Sequence, residues 1–263
     1  FANRDIDSMS NTILRVGSVT FVFALWWGFS ILNQHMKFFP PAMIPSPPEV
    51  IEAGWGIRDK VPSDVLISLI RVFEGFVIAA VLGIFLGCLS GTSRVAENLI
   101  DPVLEILRPI PPLAFLPIFI IWFGLGELSK VLMIAFASFF IIYVNTYQGV
   151  RYADPLLMRA ARSLGAKKRA SFFTIGLPSA MPEIFTGLRL GAGMAFFVLV
   201  AAELLAADNG MGFRIQEARW QFRVDRMFFG AALIGVVGFV LLGALRRLEI
   251  RLLAWKPSRD EAR

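Results

Sequence analysis

The chain has 263 residues, 56% of them hydrophobic and 17% charged, with a mean hydropathy of +0.66 and a formal net charge of +6. Soluble domains average about 45–50% apolar and about 25% charged residues, so this composition excludes an ordinary soluble fold. It indicates an all-α polytopic membrane protein, read as a single transmembrane domain over residues 1–263.

One cysteine (Cys88) and one histidine (His35) exclude an internal disulfide and leave too few ligands for a Cys/His metal site. The basic excess reads as Lys and Arg on cytoplasmic loops, not as a nucleic-acid footprint. The sequence opens at Phe1, not Met, and a leader or a few further residues are expected to precede it.

A helix crossing the hydrocarbon core needs about 20 mostly apolar residues, and six stretches meet that length. The first, Val16–Leu32, starts too deep for a cleavable signal peptide. The proline-dense FFPPAMIPSPPEV (38–50) follows, predicted to be extended, as a linker, a lid or a contact surface. The second span, Val65–Leu89, carries Gly83 and Gly87, with Gly91 just beyond. Four-residue spacing makes a smooth strip on which another helix can pack closely. Arg71 and Glu74, three apart, are expected to pair, as are Glu105 and Arg108.

The third span, Leu99–Phe123, contains Pro109, Pro111, Pro112 and Pro117. Either it is a broken helix lining a translocation path, with Pro112 and Pro117 as path candidates, or Arg108–Pro112 marks the inner boundary where the span begins. The following GLGELSK (124–130) lacks the G-x-x-x-x-G-K-[ST] spacing of a phosphate loop, so nucleotide binding by that route is not expected.

The fourth span is Val131–Val150. The fifth, Pro182–Ala207, carries Gly187, Gly191 and Glu203, and no basic residue lies within a helical turn of Glu203. That makes Glu203 a candidate for a polar group facing the pathway, with interfacial exposure as the alternative. Residues 209–226 are expected to include an outer amphipathic helix. The sixth span, Met227–Leu245, carries Gly235 and Gly238. The segments inside when both termini are cytoplasmic carry more Lys and Arg than those outside, which favours that topology.

The loop between spans four and five, ADPLLMRAARSLGAKKRASFFTIGLP (153–178), holds most of the functional signal. Asp154 suits an N-cap and Pro155 the first helical turn. Leu157, Ala160, Ala161 and Leu164 share one side of a short helix, and Gly165 ends it. A second short helix runs from Lys167 toward Phe173, and Pro178 marks the return to the membrane. A capped helix with an alanine-lined face fits a groove in a partner.

The segment resembles the cytoplasmic signature loop of binding-protein-dependent ABC importer permeases, E-A-A-x₃-G-x₉-I-x-L-P. Ala160, Ala161, Gly165, Ile175, Leu177 and Pro178 match at that spacing, while Arg159 stands where the pattern has Glu. IPSPPEV, LEILRPIPPLAFLPIFIIWFG and AARSLGA are similar to the nitrate, sulfonate, taurine and bicarbonate group, over roughly residues 40–250.

The resemblance implies a homodimer in a bacterial inner membrane. Two cytoplasmic ATPase subunits would each receive one 154–168 helix, and an external substrate-binding protein would deliver a small anion. ATP hydrolysis would lie in the partner, so no catalytic residue and no cofactor is expected in this chain. A self-sufficient secondary transporter or channel, with the loop only a charge anchor, is the alternative. A membrane enzyme lacks any reactive cluster to support it.

Overall fold

The computed structural model describes residues 2–153 and 155–252; the side chains of 2–13, 15, 16, 155, 157, 158, 162 and 168 lie outside the description. Among the described residues the regular structure is entirely helical. The helices are α1 (Ala2–Met36), α2 (Pro47–Trp55), α3 (Val61–Thr92), α4 (Arg94–Leu107), α5 (Leu116–Phe123), α6 (Glu127–Arg151), α7 (Pro155–Ser163), α8 (Lys168–Ser171), α9 (Leu177–Ala206), α10 (Met211–Trp220) and α11 (Val224–Leu252).

Among the described residues four helical stretches are long and apolar enough to cross a membrane: Val61–Thr92, Glu127–Arg151, Arg169–Ala206 and Val224–Leu252. The bent pair Arg94–Leu107 and Pro112–Phe123, whose axes differ by 86°, would be a fifth crossing only if its two halves together make one broken span, and is otherwise a re-entrant loop. The first expected span lies within α1.

The chain divides into two compact units, one of residues up to Pro62 with Arg214–Leu233, the other of Ser63–Phe213 with residues from Ile234 on. In the first unit the proline-dense stretch is not simply extended. Pro41–Met43 makes a 3₁₀ turn, and Pro47 and Pro48 open α2, where a missing amide costs nothing. Ser46 and Glu49 form a capping box, the Ser46 amide donating to Glu49 Oε2 at 2.6 Å. One side of α1 holds the stretch in place. Trp26 Nε1 donates to the Pro45 carbonyl (3.1 Å), Ser30 Oγ to that of Ile44 (3.0 Å) and Asn33 Nδ2 to that of Phe39 (3.2 Å).

The second unit is built around α6. The glycines of α3 and α9 let both helices approach it at backbone distance. A Cβ on Gly83, Gly87 or Gly91 would stand 2.9, 2.7 and 2.7 Å from Ile142, Thr146 and Val150 of α6. From the other side, Cβ atoms on Gly187 and Gly191 would meet Asn145 and Ile142 at 2.8 Å each. Ile142 is thus held between two glycines and fully buried. Gly149 in turn faces Ala180 and Glu183 of α9. No side chain larger than hydrogen fits at these crossings, so α3, α6 and α9 have little freedom to slide.

The third expected span breaks at Arg108–Pro111. Its second piece, twelve residues from Pro112 to Phe123, covers about 18 Å at helical rise and cannot span about 30 Å of hydrocarbon alone. α4 turns Glu97 and Asp101 inward: Tyr147 Oη donates to Glu97 Oε1 (2.6 Å), and Tyr143 Oη donates to Asp101 while accepting from Ser90 Oγ (3.0 Å). Its apolar residues Val95, Leu99, Val103 and Ile106 are exposed, as on a lipid-facing helix.

Pro178 lies at the start of α9, within a continuous helical run. Lys168–Ala206 is one helical run with a π-helical turn at Phe172–Gly176, in which the Leu177 amide reaches the Phe172 carbonyl. The widened turn removes the clash that Pro178 would make with the carbonyl four residues back.

Candidate functional site

α7 runs from Pro155 to Ser163, and its stop is set by Gly165 at φ +81°, which a residue with a Cβ adopts only under strain. The Ala166 amide donates to the Ala161 carbonyl at 3.0 Å, the six-to-one bond of a Schellman ending. Ala161 is buried, whereas Ala160 and Leu164 are exposed, Leu164 at 87%. Leu157 is helical, its side chain outside the description, and Asp154 lies outside the described residues. Downstream, Leu177 packs onto the core of Val150, Ala180 and Ile184. Ile175 is half-buried and Pro178 exposed.

At the other end of α3, α6 and α9 sits a charged cluster the sequence did not reveal. Arg71, 1% exposed, is its hub. Its guanidinium donates to Glu203 Oε1 (2.7 Å), to both oxygens of Glu127 (Nη2 to Oε1, 2.7 Å), and to Asn209 through its carbonyl (2.9 Å) and its side chain. Ser68 Oγ donates to Glu203 Oε1 at 2.7 Å and accepts from the Met211 amide at 3.0 Å. The Gly212 amide donates to Glu203 Oε2 at 2.8 Å, and the Gly210 amide to Asp64 at 3.0 Å. Lys130, also buried, closes on Glu127 at 3.0 Å.

Three expectations are corrected here. Arg71 does not pair with Glu74, which is exposed, because α6 and α9 bring carboxylates onto the buried side of α3. Glu203 does not face open space or the interface. It is 0% exposed, and each oxygen is satisfied from within the unit. Its basic partner lies 132 residues away in sequence, beyond any helical-turn rule. Gly210 sits at φ +106°, and a Cβ there would run into the Glu203 carboxylate. The cluster therefore locks the Asn209–Gly212 turn to three spans. Glu105 and Arg108 are likewise exposed and form no pair among the described residues.

Of the path candidates, Pro112 is half-buried at the start of its 3₁₀ turn and Pro117 is exposed. Beside them Phe115 and Phe119 meet the Phe136 ring tilted and edge-on, with ring centroids 4.8 and 6.0 Å apart, and the row continues through Phe140 and Phe139 to Tyr143 and Tyr147. This aromatic row was not read from the sequence; the spacing of Phe136, Phe140, Tyr143 and Tyr147 on α6 was its only trace.

A multi-pass helical membrane domain with a short, glycine-stopped helix between two interlocked spans belongs to a class, membrane transport components. Residues 65–254 match the family of binding-protein-dependent transport system inner membrane components, and the chain belongs to that family. It is 37% identical over 249 residues to the taurine transport system permease protein TauC of Escherichia coli, covering 92% of this chain and 89% of the other. It is 35% identical over 209 residues to the nitrate import permease protein NrtB of Synechocystis, covering 75% and 76%. Its fold matches a solved chain of the MetNI methionine ABC transporter at a TM-score of 0.66. That match covers 74% of this chain and 96% of the other at 15% identity.

Proposed function

We propose that the chain is the permease subunit of an ATP-driven importer that carries a small oxyanion, such as an organic sulfonate, nitrate or bicarbonate. Identity above one third to permeases named for taurine and for nitrate supports the anion class. Both termini are cytoplasmic, the membrane is a bacterial inner membrane, and the chain forms six spans within one permease domain, working as a homodimer. Two ATPase subunits hydrolyse the nucleotide, and an external binding protein presents the substrate.

The observation that carries the coupling role is α7 itself. Gly165 cuts it short, and it joins α6 directly to the long helical run ending in α9. A partner gripping Asp154, Leu157, Ala160, Ala161 and Leu164 would move two spans whose glycine contacts keep them from sliding apart. Ile175, Leu177 and Pro178 anchor the return into α9. The aromatic row and the Pro112–Pro117 break are the path elements, whereas Glu203 serves as a structural anchor at the outer end.

Affinity purification of the tagged chain from its native membrane tests the coupling role. An ATPase subunit is expected to co-purify and to be lost on Gly165→Leu. Co-purification unchanged by that substitution would remove α7 from the interface.

A further inference from the structure

Where α3 ends, a cleft of about 1070 Å³ opens beside α6, α7 and the π-helical turn. Arg94, Arg151, Arg159 and Arg169 line it, and among the described residues no carboxylate does. Arg151 is engaged by Glu97 at 3.5 Å, whereas Arg94, Arg159 and Arg169 have no ion-pair partner among the described residues. Three unpaired guanidinium groups around one hollow form an anion site by charge alone. The volume is at the upper end of about 300–1,000 Å³ for ligand pockets, far more than a small inorganic anion fills.

Apart from Thr92 and Ser171 the remaining wall is apolar, with Phe85, Leu89 and Phe173 exposed within it. Phe85 and Leu89 end a stripe of exposed apolar residues at four-residue spacing along α3, Phe73, Val77, Val81, Phe85 and Leu89. Such a stripe is the face a spanning helix turns to hydrocarbon, so the cleft joins that face at one end and the arginines at the other.

We propose that this cleft binds an anionic phospholipid, its phosphate held by Arg94, Arg159 and Arg169 and its chains along Phe85 and Leu89. Basic pockets between spanning helices are known takers of acidic headgroups. A lipid wedged between the ends of α3 and α9, against α7, would stiffen the region that the proposed ATPase partner moves. Only the assignment to the cytoplasmic leaflet rests on the transport reading.

Native mass spectrometry of the full detergent-purified chain tests this, with dioleoyl phosphatidylglycerol against dioleoyl phosphatidylcholine. Wild-type protein should retain phosphatidylglycerol preferentially. Each arginine contributes roughly fivefold, so Arg94→Gln with Arg169→Gln should weaken retention about twenty-five-fold. All the changed side chains are exposed, so a melting curve matching wild type will certify the fold, and Arg94→Lys should keep most of the binding. Leu89→Asn should weaken retention through the acyl chains alone.

Equal retention of both lipids, or retention unchanged in the double variant, would overturn the proposal. Displacement by excess inorganic phosphate with no effect of Leu89→Asn would show a free-anion site instead. Loss of the lipid whenever the ATPase subunits bind would assign the arginines to that protein interface. None of these readouts uses nucleotide or substrate, so failure here leaves the transport function standing.

Discussion

Replacing Arg71 with Met removes a guanidinium while keeping the apolar volume of its stem, and it sets its two carboxylate partners very different problems. The Glu127 side chain is 55% exposed and keeps Lys130 at 3.0 Å, so water and that ammonium replace most of what it loses. Glu203 is 0% exposed and is left with only the Ser68 hydroxyl and the Gly212 amide. An uncompensated buried charge costs about 3–5 kcal/mol. At roughly 2–4 °C per kcal/mol for a chain of this size, the melting temperature should fall by about 10 °C.

Adding Glu203→Gln should then raise stability, because the stranded charge is gone; a coupling of about 2 kcal/mol is expected from a direct contact. Adding Glu127→Gln should restore little. The assay is thermal unfolding in detergent at a fixed scan rate, comparing the four members of each mutant cycle. A melting temperature unchanged by Arg71→Met, or lowered further when Glu203→Gln is added, would refute the assignment of Glu203 as the charge that Arg71 neutralises.

Other substitutions should sort by what surrounds them. Gly87→Val meets Thr146 at 2.7 Å and the Tyr143 carbonyl at 2.9 Å, neighbours that cannot swing aside, and should destabilise by about 1–3 kcal/mol in the same melting assay. Gly235→Val, with open space around it, should leave the melting temperature unchanged. Tyr143→Phe removes the hydroxyl that donates to Asp101 and lies 3.0 Å from Ser90. It should cost about 1–2 kcal/mol, and faster amide exchange in α4 would report the loosened helix. Gly210→Ala combines φ +106° with a clash against Glu203, and should lower the yield of folded protein more than Gly165→Ala, which has open space around it.

Local chemistry was legible in the sequence wherever the cause was itself local. Gly165 could be read as a helix stop because a residue needing positive φ announces itself. The Gly83, Gly87 and Gly91 strip could be read as a packing face because helical spacing puts it on one side. Its partner could not, since Ile142, Thr146 and Val150 look like any other apolar span residues. Four prolines signalled trouble in the third span but not an 86° bend. The π-helical turn just before Pro178 could not be read, because nothing in FFTIG advertises that geometry. Arg71 misled most. Only Glu74 was near it in sequence, while Glu127 and Glu203 lie 56 and 132 residues away and are brought in by the packing of α3, α6 and α9.

Uptake into proteoliposomes is the most direct test of the central claim. The chain would be reconstituted alone, then with its ATPase subunits and binding protein, and the influx of labelled taurine or nitrate followed with and without ATP. The account predicts no uptake by the chain alone and ATP-dependent uptake by the assembly, reduced when Gly165→Leu displaces α7. Uptake by the chain alone, driven by an ion gradient and indifferent to ATP, would contradict it and make this a self-sufficient secondary transporter.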